Sequence, residues 1–196
     1  MVNTLDNYEK WESIVGKGKI LPAFPGAGGS ITNNILDASL TPRIIQPTTF
    51  SEITGKKTNR TQRLSQIFKH SCIPFQQVND MHIWQLCHIG MVVPLANAYY
   101  QTEHPESVGQ DKVIMKKIAR ELKDNFKILY DNLHTLSPYK MNIFRILPIP
   151  ILTYILSQAF KSRFGHTFMY QHAIKAPDEM KELHNQFYSY IKKWRL

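Results

Sequence analysis

The stretch from Asn79 to Gln101 does most to limit what this chain can become. Ile83, Leu86, Cys87, Gly90, Met91, Pro94 and Leu95 fall at i, i+3, i+4, i+7, i+8, i+11 and i+12, which predicts one apolar helix face. Asp80 is placed to cap its start. Pro94 removes an i to i−4 hydrogen bond well inside the pattern, so a kink or break is expected there. Gly90 in mid-helix costs about 1 kcal/mol relative to alanine. Close approach of another helix is the preferred reason for it, and a ligand is the other. Before this stretch the apolar runs are short and lie among Gly, Pro and Thr; after it, helical patterns continue to the C-terminus.

Several segments before it read as small elements. Met1–Asn3 looks like the end of a strand, and Leu5–Ile14 is helical, ended by Gly16 and Gly18. Lys19–Phe24, Asn34–Asp37, Pro42–Gln46 and Thr48–Ile53 are short strand candidates. Lys57–His70 is an amphipathic helix with Arg60, Arg63 and Lys69 on its polar side, and Pro74–Val78 is extended. The glycine cluster of Phe24–Ser30 lacks both the Gly-x-Gly-x-x-Gly pattern and a P-loop lysine, so a tight turn between strands is its default. No parallel βαβ unit is legible in residues 1–78, which resemble the closing strands of an α/β domain whose first half lies outside this sequence.

Asp111–His134 carries apolar residues at the helical period, with Lys116, Arg120, Lys123, Asp124 and Lys127 opposite. Met141–Phe160 is apolar enough to raise a transmembrane question, but Arg145, Pro148, Pro150 and Gln158 interrupt it. A bilayer requires about 20 consecutive apolar residues, so two short packed helices are expected instead. Pro177 opens a last helix with Asp178 and Glu179 in its first turn and Met180, Leu183, Phe187, Tyr190, Ile191 and Trp194 on one face.

Asp80-Met-x-x-Trp84-x-x-x-His88 followed by Val92-x-Pro94-Leu95 resembles the start of the C-terminal helical domain of the ketopantoate reductase (2-dehydropantoate 2-reductase) family. Phe24-Pro-Gly-Ala-Gly-Gly resembles a segment that follows the family's Asn-bearing strand, and His172-Ala-x-x-Ala-x-Asp-Glu-Met resembles its closing motif. The resemblance implies an NADP-dependent reduction of a 2-oxo acid such as 2-dehydropantoate in a cleft beside a Rossmann domain. It implies Asn3, His88, Thr167 and Glu179 as substrate-binding positions, and a catalytic lysine where this chain has Leu86. Glu179 reads equally as a helix-start carboxylate and His88 as a buried, hydrogen-bonded histidine.

The expected architecture is α+β: a small β remnant of a nucleotide-binding domain over 1–78, then an all-helical substrate-binding and dimerisation domain over 79–196. NADP is the cofactor implied by resemblance, and this chain alone is not expected to bind it. A 2-oxo acid and a second copy are the expected partners, with no membrane or nucleic-acid partner and a cytoplasmic location. The alternative is a non-catalytic helical dimerisation or interaction module. The formal charge of +9 comes from scattered Lys and Arg without interleaved stacking aromatics, which argues against a nucleic-acid surface. No metal-ligand spacing or catalytic triad is legible among the eight histidines and two cysteines, and Cys72 and Cys87 read as buried thiols.

Overall fold

The computed structural model describes Leu5 and residues 7–194. The expected strand at Met1–Asn3 lies outside the described residues. The class is α+β with helix predominating, at 63%. Two compact units divide at Gln85 and Leu86, seven residues past the expected domain boundary.

In the first unit, helix α1 (Tyr8–Val15) begins at Asn7, whose side chain accepts from the Glu9 amide, and ends at Gly16 with φ +99°. Strands β1 (Ala23–Phe24), β4 (Thr48–Phe50) and β5 (Phe75–Gln77) form a sheet in the order β1-β4-β5. β1 runs antiparallel to β4, whereas β4 and β5 are parallel with Thr48 opposite Phe75. Helix α2 (Asn59–His70) connects the parallel pair, so the unit does contain one βαβ motif. Strands of two or three residues are too short for an alternating pattern to reveal them.

Every residue of the central strand β4 is buried. Its threonines tolerate this because their hydroxyls are used: Thr48 Oγ1 accepts from Gly26 N at 3.0 Å, and Thr49 Oγ1 accepts from Gln76 Nε2 at 2.9 Å. A Cβ on Gly26 would stand 2.4 Å from the Thr48 amide nitrogen, so only glycine allows this approach. Gly28 and Gly29 lie in strand β2 (Ala27–Thr32), which forms a two-stranded hairpin with β3 (Ile35–Leu40). The expected turn at the glycine cluster is therefore corrected: the chain reverses at Asn33 and Asn34, both at positive φ, where asparagine is tolerated. Pro42–Gln46 is a turn rather than a strand.

Arg60 is the clasp of this unit. Its guanidinium donates to Glu52 through Nε at 2.7 Å and through Nη2, and to the carbonyls of Gly18 (2.6 Å) and Ile20 (2.8 Å). Thr58 adds a hydroxyl to the same carboxylate. Glu52 is buried, and the hydrogen bond from Arg60 holds its carboxyl below the ordinary glutamate range against the opposing effect of burial. Arg60 thus acts as a structural partner, beyond the solvated polar face expected for α2. A second core gathers Tyr8, Met81 and Trp84, with Phe24, Ile53 and Val78 packed against it.

Helix α3 (Met81–Tyr99) starts where Asp80 accepts from the Ile83 amide at 2.9 Å and continues through Pro94. The expected one-sided face is corrected: every residue from Trp84 to Gly90 is buried, as befits a helix enclosed on all sides. The helix continues through Pro94, where a kink or break was expected, and the Gly90 carbonyl that Pro94 has no amide to reach accepts from Asn125 Nδ2 at 3.2 Å instead.

The second unit is built around helix α4 (Lys112–Leu133), capped by Asp111, whose carboxylate accepts from the amides of Val113 and Ile114. Helices α5 (Asn142–Ile146) and α6 (Ile149–Lys161) both pack on α4, the two short helices expected from Pro148 and Pro150. Lys123 of α4 fixes their junction by donating to the carbonyls of Arg145 (2.9 Å) and Leu147 (2.8 Å). A π-helical turn (Gly165–Tyr170) leads through α7 (Gln171–Lys175) to α8 (Pro177–Lys192), where Pro177 occupies the first turn. Gly90 sits at a helix crossing, since a Cβ there would meet the Phe187 ring at 3.0 Å and Leu129 at 3.2 Å. Asn125 secures the crossing by donating to the Gly90 carbonyl at 3.2 Å. No helix among the described residues is long and apolar enough to cross a membrane. Both cysteines are free, Cys72 exposed rather than buried as expected and Cys87 buried.

Candidate functional site

The positions singled out by resemblance occupy different environments. Leu86 is 0% exposed, a core residue of α3. Cys87 beside it is equally enclosed, and burial pushes its thiol up to about 12. His88 is buried, and burial, reinforced by the nearby His172, pushes it down to about 3. Its ring is therefore neutral at physiological pH, with one ring N–H and no imidazolium charge. Thr167 is exposed on the π-helical turn, and Glu179 is exposed in the first turn of α8. Glu179 keeps its favourable place at a helix N-terminus. Asn3 lies outside the described residues.

A dinucleotide pyrophosphate requires free amides at the start of a βαβ helix and glycines that let the phosphates approach. The start of α2 does not fit this requirement. Thr58 and Thr61 form a reciprocal capping box, so the side chain of Thr58 already engages the first-turn backbone. The loop's glycine, Gly55, serves packing: a Cβ there would lie 2.2 Å from the Asn79 carbonyl oxygen.

The second unit presents an open groove of about 530 Å³ lined by Asn97, Tyr100, Gln101, Lys117, Glu121, Asp124 and His184. The α4 contribution is a stripe at i, i+4 and i+7, which faces the end of α3 and the middle of α8. Lys117 Nζ donates to Gln101 Oε1 at 2.6 Å, and the Tyr188 hydroxyl donates to Glu121 Oε1 at 2.6 Å. The Tyr188 and His184 rings lie 4.6 Å apart. One ammonium, two carboxylates, an imidazole and two amides suit a small ligand carrying both charges. None of Leu86, His88, Thr167 or Glu179 lines this groove.

Sequence reasoning missed the groove. Lys117, Glu121 and Asp124 are visible as one polar stripe of a helix, but their convergence with Gln101 and His184 is tertiary. Among the described residues no cluster of His, Cys, Asp or Glu is arranged to hold a metal ion. No family model, curated protein or solved structure matches the chain.

Proposed function

We propose that this chain is a ketopantoate-reductase-like protein in which the reducing chemistry is disabled and the helical unit is kept for binding a 2-oxo acid and for self-association. The observation that carries this is Leu86: the resemblance puts the proton donor there, and the residue is an apolar side chain with no exposed surface. A leucine can neither protonate a developing alkoxide nor stabilise its charge. Supporting observations are the parallel β4-α2-β5 motif with antiparallel β1, followed in order by α3 and a helical unit. NADP is not held by this chain alone, because the start of α2 is already capped. The protein works in the cytoplasm in this proposal.

The test mixes the purified chain with NADPH and ketopantoate and follows the nicotinamide absorbance, with calorimetric titration of ketopantoate alongside. No turnover together with saturable heat is the expected result. Turnover above background would refute the disabled-reductase proposal.

A second reading, a non-catalytic interaction module, is favoured by the hairpin. Ile31, Ile35 and Leu36 are 73%, 70% and 67% exposed, large apolar side chains open to solvent on a two-stranded hairpin. Light scattering after size exclusion separates the two: self-association lost in Ile35→Asp while ketopantoate binding is absent favours the module.

A further inference from the structure

From residue 132 to residue 177 the chain contains no aspartate or glutamate, while Lys140, Arg145, Lys161, Arg163 and Lys175 all fall within it. The same segment carries an outward apolar row that the core does not use. On α6, Leu152, Leu156 and Phe160 are buried, whereas Ile151, Tyr154 and Ile155, at i, i+3 and i+4 on the other side, are 48%, 66% and 41% exposed. On α5, Ile143 and Ile146 are also exposed, and Tyr139 just before it is 84% exposed. Both helices are held against α4, and Lys123 fixes the backbone between them. Their outward sides are therefore presented by a rigid support.

We propose, in place of the expectation of no membrane partner, that this unit docks on anionic lipid surfaces through the outward side of α5 and α6. The charge pattern selects the occupant. In a two-fold dimer the same patch faces itself, which would set these cations against their own copies with no carboxylate in the segment to answer them. Glu121 and Asp124 of α4 belong to the groove beside His184. A membrane rich in acidic headgroups offers negative charge for Lys161 and Arg163 and an apolar layer for the isoleucines. Exposed Tyr139 and Tyr154 suit the boundary between the two. The proline interruptions that rule out spanning are no obstacle to lying on the surface. None of this depends on the reductase resemblance.

The test is co-sedimentation of the full chain with phosphatidylcholine vesicles, with and without phosphatidylserine. Binding is expected only with phosphatidylserine. Ile151→Ser with Tyr154→Ser is expected to weaken it by at least about tenfold, and Lys161→Glu with Arg163→Glu by about fivefold or more per charge reversed. All four side chains are outside the core, and circular dichroism checks that the variants fold. In the wild-type chain, hydrogen exchange over 139–158 is expected to slow when phosphatidylserine vesicles are added, independently of any variant. Absence of binding, binding that either pair leaves unchanged, unaltered exchange, or a dimer that the Ile151/Tyr154 pair dissociates would each overturn the proposal.

Discussion

Replacing Leu86 by lysine puts back the side chain that the reductase resemblance places there, and the outcome is decided by burial. Leu86 has no exposed surface, so a new ammonium has no water and must shed its proton in the folded state. Lowering a lysine from about 10.4 to about 7 costs about 4.6 kcal/mol, at about 1.36 kcal/mol per pH unit. In a chain of this length each kcal/mol moves the melting temperature by about 2–4 °C, so Leu86→Lys is expected to lower it by on the order of 10 °C. The folded state binds fewer protons than the unfolded state between the two pKa values, so stability rises with pH across that interval. Urea denaturation from about pH 7 to about pH 10 is therefore expected to show the deficit shrinking. Leu86→Met, which conserves volume, is expected to cost under about 1.5 kcal/mol. A Leu86→Lys protein as stable as the parent, with no extra pH dependence, would refute the assignment of this position to the core.

Arg60→Ala is expected to destabilise the protein by about 2 kcal/mol, the value for stranding a buried carboxylate being discounted because the arginine is itself partly open to water. The Glu52 carboxyl is held below its unfolded value, so the pair's contribution is complete above about pH 5 and is lost as pH falls through the folded value. Glu52→Gln should accordingly flatten the fall of the thermal midpoint between about pH 5 and about pH 3. At Gly90, alanine is expected to be nearly neutral, the helical gain of about 1 kcal/mol offsetting the crowding against Phe187. Gly90→Val should cost about 2–3 kcal/mol by overpacking, partly relieved by Phe187→Leu in a double-mutant cycle read by chemical denaturation.

What the sequence revealed and what it hid follow a physical division. α4 and α8 were legible because their buried residues recur at the helical period on one side only, and Asp111 and Pro177 mark their starts. The split of 141–160 into α5 and α6 was legible because proline's effect on backbone hydrogen bonding is local. The all-round burial of Trp84–Gly90 in α3 was hidden because such a stretch carries little periodic signal, and its passage through Pro94 depends on a tertiary donor, Asn125, to the Gly90 carbonyl. The glycines of β2 misled because the turn chemistry lies at Asn33 and Asn34 instead. The groove was hidden altogether: Gln101, Glu121 and His184 become neighbours only through folding.

The reach of Arg60 bears on how the first unit opens. One guanidinium holds the stretch after α1, the segment following β4 and the first turn of α2, so none of the three can fray without releasing the others. Amide protons in these distant stretches should therefore trade with solvent at a common rate, as one concerted excursion rather than three independent ones.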